Sequence, residues 1–249
     1  MRLTVLGSSA SYASAGQACA GYLVETGDTR VLLDCGHGVL ANLARALDPL
    51  LLNAVFVTHG HIDHFADVYA LQALLRYAPE GPADPMPLYA PEGLFDRMAL
   101  VLSKKGAEEL AAAFLAHSFA EGTGIRVGDV LVTPMRVDHG DDAFALRIEA
   151  EGSSICYTAD TAPGDAAIAA AEGCDLLLAE ATLPERYAGR AQHMTGREAG
   201  LLGRQSGAKQ LVVTHVWPTN DRETVAREAS DAYGSAAVVA SEFDVFVLE

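Results

Sequence analysis

An α/β fold in one domain is predicted by three observations. Short β-rich runs alternate with stretches of helical periodicity along the whole chain. Apolar residues make up 50% of the sequence, and no polar low-complexity stretch interrupts it to serve as a linker. One β-rich run ends in a cluster of histidines, at the kind of position where open α/β sheets carry their ligand sites. A chain of 249 residues lies at the upper end of what a single core serves, so residues 1–249 are read as one domain.

Strand-like runs at Arg2–Leu6, Gly21–Glu25 and Arg30–Asp34 open the chain, followed by a helical stretch over Val39–Leu47 and the strand Ala54–Val57. Helical spacing returns at Ala66–Tyr77, Gly93–Leu102 and Ala107–Ala116. Further strands are predicted at Val130–Pro134, Ala143–Ala150, Ser154–Thr158, Asp175–Ala179, Gln210–Val213, Ala236–Val239 and Val245–Leu248, with helices at Gly196–Gln205 and Glu223–Tyr233. The proline-rich stretch Pro79–Pro87 and the two helical runs after it give no clear element assignment. That segment, 79–116, is open either to capping a pocket or to forming a homodimer surface.

Directly after Ala54-Val55-Phe56-Val57 the chain reads Thr58-His59-Gly60-His61-Ile62-Asp63-His64. In an extended stretch His59 and His61, separated by Gly60, point the same way and can share one divalent ion. Asp63 and His64 lie one step further, suited to a second ion. A cap or a core uses one such residue and satisfies it, whereas four coordinating groups this close otherwise repel one another or stay unpaired. A metal site is therefore predicted.

The motif resembles the HxHxDH signature of the metallo-β-lactamase fold superfamily, and the likeness extends to the end of the chain. That family takes its remaining ligands from later strand ends. Candidates stand here in the same order: His139 in Arg136-Val137-Asp138-His139-Gly140, Asp160 in Tyr157-Thr158-Ala159-Asp160-Thr161, and His215 in Leu211-Val212-Val213-Thr214-His215. The resemblance implies a hydrolase folded as a four-layer αββα sandwich of two mixed sheets. It also implies a dinuclear site, with His59, His61 and His139 on one ion, Asp63, His64 and His215 on the other, and Asp160 bridging them beside a water or hydroxide. Nitrogen-rich donors favour Zn2+ over magnesium or calcium, with Mn2+ or iron also compatible. Two such ions, roughly 3.5–4 Å apart, lower the pKa of a shared water and stabilise attacking and leaving oxygens.

Within the superfamily the sequence is similar to the ribonuclease Z-like branch. The turn Val5-Leu6-Gly7-Ser8-Ser9-Ala10-Ser11 matches one that lines the active site there. Asp34, in Leu32-Leu33-Asp34-Cys35-Gly36-His37-Gly38, is placed to orient a metal-bound imidazole, and Asp67 either does the same or serves as an N-terminal helix charge. Glu180 and His193 match a pair that these enzymes use beyond the metals, the histidine approaching the scissile phosphate and the glutamate holding it. Glu180, His193 and the ligand Asp63 are thus the candidate catalytic residues. His37 lies near the glycine turn and has no assigned role. His117 is read as a C-terminal helix residue favoured by the dipole.

Departures from ribonuclease Z narrow the substrate. Those enzymes grip transfer RNA with an arm inserted between the counterparts of His139 and Asp160, and the two strands predicted in that interval leave no room for one. The histidine that precedes the glutamate in the family is Ala179 here. With 33 acidic and 17 basic side chains the formal net charge is −16, which disfavours a large nucleic acid bound through its phosphates. What remains resembles small bacterial phosphodiesterases, including proteins associated with cyclic nucleotide hydrolysis, a likeness that includes Thr214-His215-Val216-Trp217-Pro218. A small phosphodiester is the expected substrate. Alternatives are a ribonuclease Z-type RNA 3′-processing nuclease, a lactonase or thioesterase of the same fold, or a metal-binding module without activity.

Cys19, Cys35, Cys156 and Cys174 are far apart in sequence and form no Cys-x-x-Cys pair, so reduced, packed thiols are expected. The opening Arg2–Leu6 reads as a strand with no signal-peptide pattern before it, and no apolar run reaches membrane-spanning length. A cytoplasmic protein with no membrane contact is the expectation.

Overall fold

Strand, helix and turn follow one another in an order that brings the carboxyl ends of the strands before the histidine motif, His139, Asp160, Glu180 and His215 to one rim. The computed structural model describes residues 1–79, 81–140 and 142–249; Glu80, in the proline-rich stretch, and Asp141 lie outside them. The first half runs β1 (Arg2–Gly7), β2 (Gly21–Thr26), β3 (Thr29–Leu33), α1 (Val39–Ala46), β4 (Ala54–Phe56), α2 (Ile62–Phe65), α3 (Val68–Tyr77), β5 (Met86–Ala90), α4 (Leu94–Ala99), α5 (Lys104–Ala113) and β6 (Phe114–Ser118). The second runs β7 (Ile125–Val127), β8 (Val130–Val137), β9 (Ala143–Ala150), β10 (Ser153–Tyr157), α6 (Asp165–Ala171), β11 (Leu176–Glu180), α7 (Gly196–Ser206), β12 (Gln210–Thr214), α8 (Arg222–Tyr233), β13 (Ala237–Val239) and β14 (Val245–Val247).

Two seven-stranded sheets result, ordered β14-β1-β2-β3-β4-β5-β6 and β13-β12-β11-β10-β9-β8-β7. Each is antiparallel on one side and parallel on the other. In the first, β14 to β3 pair antiparallel and β3 to β6 parallel. In the second, β7 to β10 pair antiparallel and β10 to β13 parallel.

Period-two alternation sorts the apolar residues into layers. Val31 and Leu33 of β3 join the core between the sheets, together with Ile155 and Tyr157 of β10 and Val212 of β12. Leu32 turns outward, into the cluster under α1, α3, α4 and α5. Cys156, Leu211 and Val213 turn outward on the other side, under α6, α7 and α8. The central strands are covered on both faces, which is why they read as near-continuous apolar runs. The four-layer αββα sandwich expected from the resemblance is the observed architecture.

Helix α7 can approach α8 closely because it carries Gly200, where a Cβ would stand 2.3 Å from the Ala229 carbonyl oxygen. Gly36 has the same function beside the histidine motif, since a Cβ there would meet the Asp63 carbonyl oxygen at 1.9 Å. Among the described residues no helix is long and apolar enough to cross a membrane.

Segment 79–116 departs from the expected pattern. The helix over Ala107–Ala116 stops at Ala113, and Phe114–Ser118 becomes β6, paired parallel to β5 from Met86↔Phe114 to Ala90↔Ser118. Parallel pairing is long-range, so local periodicity does not carry it. His117 accordingly sits in a strand with its ring stacked on Tyr89 at 4.9 Å, not at a helix terminus. Strands β5 and β7 and the alanine-rich α6 had no sequence counterpart, all being short or lying beside prolines and glycines.

Candidate metal centre

The histidine motif leaves the end of β4, His61 stands at the N-terminus of α2, and Asp63 and His64 occupy that helix. His139 follows β8, Asp160 follows β10, Glu180 ends β11 and His215 follows β12, so all converge on one rim. The backbone there is unusual. Of the six described non-glycine residues with positive φ, four lie on this rim: Ser11 (64°), Asp34 (56°), Ala159 (52°) and His215 (49°). Such conformations persist where surrounding contacts impose them, and they cluster at functional sites.

Two groups of ligand atoms result. In the first, His61 Nδ1 lies 3.2 Å from His59 Nε2 and 3.1 Å from His139 Nε2. In the second, His215 Nε2 lies 3.2 Å from both His64 Nε2 and Asp63 Oδ2. Asp160 stands between them. Its Oδ2 is 3.6 Å from His59 Nε2 and 3.9 Å from His139 Nε2, while its Oδ1 is 3.4 Å from His64 Nε2 and 3.2 Å from His215 Nδ1.

The donor set fits divalent metal. Asp160 Oδ1 is buried without a hydrogen-bond partner, a costly state for a carboxylate unless a cation completes it. The imidazoles are also oriented for ligation from behind. The His64 Nδ1–H donates to Asp34 Oδ2 at 2.7 Å, His139 Nδ1 to the Gln192 carbonyl at 2.9 Å, His215 Nδ1 to Thr182 Oγ1 at 2.9 Å and His59 Nδ1 to Thr58 Oγ1 at 3.1 Å. With each Nδ1 proton engaged, four Nε2 lone pairs are directed into the cluster.

Asp34 is placed as its motif predicted. Its carboxylate accepts from the Thr58 amide at 2.8 Å, Thr58 Oγ1 at 2.9 Å and Tyr157 Oη at 2.9 Å, as well as from His64. Asp67 is not. It accepts from the Gly38 and Leu40 amides, both at 2.9 Å, and so completes the N-terminus of α1 instead of orienting an imidazole. His37 is largely exposed, with Nδ1 3.8 Å from Asp67, outside both groups of ligand atoms.

Burial and neighbours set the protonation states. Burial lowers the His59 pKa well below its ordinary value, reinforced by His64, which keeps its lone pair available. Burial would raise Asp63 and Asp160; for Asp63 the hydrogen bond from His215 outweighs it, and for Asp160 the charges of His215 and His64 do, so both carboxyls are held below the usual range. His64 is pushed the other way: burial opposes its charge, but Asp160 and Asp34 prevail. The two carboxylates that draw a proton to His64 would equally draw a cation to its Nε2.

Glu180 and His193 form a separate unit beside these groups. Glu180 is buried, and its Oε1 accepts from the Thr161 amide at 2.9 Å and from His193 Nδ1 at 2.8 Å, while Oε2 accepts from the Thr182 amide at 3.0 Å. His193 precedes α7, which Thr195 and Glu198 close with a capping box. Its ring centroid is 4.9 Å from that of His139, and its Nδ1 is 3.9 Å from Asp160 Oδ2. His193 is thus within reach of a metal grouping with Asp160 and His215, but the shorter contact binds its Nδ1 to Glu180. Burial lowers the His193 pKa, and the hydrogen bond and charge of Glu180 more than reverse that, lifting it to about 9.

The turn ending at Ser11 lies at the site as the resemblance implied, but the contacts made by Ser11, Thr182 and Gln192 were not read from the sequence. The Ser11 amide donates to Asp63 Oδ2 at 2.6 Å, Thr182 supports His215, and Gln192 supports His139 while its Nε2 donates to Asp138 Oδ1 at 2.8 Å. The first and last act through backbone atoms, which residue identity does not encode. The Thr182 signal was present in Glu180-Ala181-Thr182 but had no assigned purpose.

Known proteins resemble this chain in sequence and fold. The beta-lactamase superfamily domain matches residues 29–216. An uncharacterized protein of Mycobacterium tuberculosis, Rv1339, is 33% identical over 97% of this chain and 91% of its own. Ribonuclease Z of Methanothermobacter thermautotrophicus is 25% identical over 92% of this chain and 91% of its own. The crystal structure of the metallo-β-lactamase fold protein YhfI from Bacillus subtilis superposes with a TM-score of 0.88, at 26% identity and 98% coverage of each chain. The chain belongs to the beta-lactamase superfamily and is a metallo-hydrolase with the metallo-β-lactamase fold.

Proposed function

We propose that this metallo-hydrolase is a phosphodiesterase acting on a small diester, with a cyclic nucleotide as the leading substrate. Two divalent ions are proposed, one held by His59, His61 and His139 and the other by Asp63, His64 and His215, with Asp160 shared between them. Five imidazoles among seven donors favour zinc. Ions held there would supply Lewis acidity toward the phosphoryl group and lower the pKa of a water.

The observation that carries the reading is the 2.8 Å contact of His193 Nδ1 with Glu180 Oε1, beside the metal ligands. A diester loses an alkoxide that must be protonated as it departs. Glu180, anchored by two backbone amides, keeps its carboxylate on Nδ1 of the imidazolium, so the proton given to the departing oxygen comes from Nε2. A thioester, whose thiolate departs without prior protonation, has less need of a separate acid held in this way.

Small size of the substrate is supported by two features. Between His139 and Asp160 the described chain is taken up by β9 and β10 and their connections, and a net charge of −16 opposes the many phosphate contacts that a polynucleotide requires. The test compares 3′,5′-cyclic AMP with a transfer-RNA precursor in one buffer, with Asp63→Ala as control for contaminating nucleases. At least tenfold greater efficiency on the cyclic nucleotide is expected. Faster cleavage of the RNA 3′ end would replace this reading with an RNA-processing nuclease, and turnover of only a lactone or thioester would remove the phosphodiesterase assignment.

A further inference from the structure

Among the aromatic rings outside the molecule's hydrophobic clusters, two lie against each other near the metal ligands. Neither Trp217 nor Tyr187 belongs to any of its three hydrophobic clusters, and both are only partly buried. The two meet each other edge to face, with ring centroids 6.4 Å apart and planes at 75°.

Their position relates them to the metal centre. Trp217 stands two residues after His215, and its indole Nε1–H donates to Ser11 Oγ at 3.2 Å. The backbone amide of the same Ser11 donates to Asp63 Oδ2 at 2.6 Å, so a single residue links the indole to a ligand candidate. The two loops are also joined by backbone hydrogen bonds from Val216 to Ser8 at 3.0 Å and from Ala10 to Val216 at 3.2 Å. The indole's one donor is thereby engaged, which holds the ring beside the loops that carry Ser11 and His215. Tyr187 is carried on the loop that begins after Leu183 and ends at His193, the residue held by Glu180. Arg186 and Arg190, on the same loop, lie over the Tyr187 ring at 4.9 and 5.6 Å and put positive charge beside it in a strongly acidic protein.

We infer that Trp217, flanked by Tyr187, is a stacking platform for a planar nucleobase, so that the site selects nucleotide diesters over diesters without a ring. This inference rests on the phosphodiesterase reading for the reaction, but the binding it describes does not depend on turnover. A fixed aromatic face costs little entropy to use, stacks on any base, and is worth a factor of ten or more in affinity. The arginines leaning on Tyr187 would steer the anionic ligand inward.

Trp217 is the single tryptophan of the sequence, so the protein's own indole fluorescence reports on it. The metal-loaded protein is titrated with 3′,5′-cyclic AMP and with glycerophosphoglycerol, a diester of the same charge and no ring. Saturable quenching by the nucleotide, absent with the aliphatic diester, is expected. Trp217→Ala should raise KM for the nucleotide and cut its preference over the aliphatic diester about tenfold, while Trp217→Phe, which keeps a stacking face, should cost about threefold or less. No quenching by the nucleotide, or an equal change on both substrates in Trp217→Ala with metal content intact, would overturn the inference. Quenching without hydrolysis would leave it standing and remove the phosphodiesterase reading; hydrolysis of both diesters with no quenching would do the reverse. If Trp217→Ala does not fold, the wild-type titration and Trp217→Phe decide.

Discussion

His193 Nδ1 is held 2.8 Å from Glu180 Oε1, a carboxylate buried and fixed by the amides of Thr161 and Thr182. The pair stands next to the ligand cluster without being needed to complete it, and that separation makes a distinct chemical role testable.

Replacing His193 by alanine should lower kcat about 100- to 10,000-fold on a diester with a poor leaving group, with metal content unchanged. An activated aryl diester, whose leaving group needs little protonation, should lose less. Equal losses on both substrates, or loss of metal, would count against an acid role.

The pH dependence follows from the same contact. The His193 pKa is raised to about 9 in the metal-free protein, so its proton is retained at neutral pH and lost as pH rises through that value. Bound cations would pull it down, placing the alkaline limb of kcat at or below about 9. Glu180→Gln keeps a hydrogen-bond acceptor and removes the charge that raises the pKa, so the limb should move to lower pH. An unmoved limb would assign it to another group.

Metal analysis should find two ions per chain, and His61→Ala and Asp160→Ala should each lose metal. Ligand held at a thousand times its dissociation constant stabilises a fold by about 4 kcal/mol. At roughly 2–4 °C per kcal/mol for a chain of this size, chelation should lower Tm by about 10 °C. A melting curve insensitive to chelator, with full-length folded protein, would argue against the site.

Asp34 orients His64 and adopts a φ of 56°, a conformation that asparagine tolerates. Asp34→Asn should therefore leave the fold in place and weaken metal affinity about 10- to 100-fold. Tyr157→Phe, which removes one of the donors to Asp34, should cost less. Wild-type affinity in Asp34→Asn would show that His64 needs no support.

All four cysteines are free and buried. Burial, with a smaller contribution from Asp63, lifts Cys19 to about 12; burial lifts Cys174 to about 11 and raises Cys35 and Cys156 as well. Thiols so shifted stay protonated as pH rises through 8, so a thiol reagent at that pH should label none of them within minutes in the native state and all four after denaturation. One fast-reacting native thiol would contradict this.

The sequence by itself determined much of this protein. Its short, near-continuous apolar runs specify strands covered on both faces, and His59 to His64 declare a metal site because so many coordinating groups in six residues would otherwise repel or stay unpaired. Asp34 was readable because it ends a predicted strand in a stretch, Leu32 to Gly38, that resembles the family pattern. Tertiary structure decided what local pattern cannot carry. The choice of strand over helix at Phe114–Ser118 depends on pairing with β5, a partner distant in sequence. The role of Asp67 depends on which helix terminus comes near it, and that proved to be α1. The amide of Ser11 and the carbonyl of Gln192 support ligands through backbone atoms that every residue possesses, so only the folded chain reveals them. The placement of Trp217 against Ser11 and Tyr187 likewise joins three loops, because the contacts that orient a ring at a sheet's rim come from whichever loops the topology brings there.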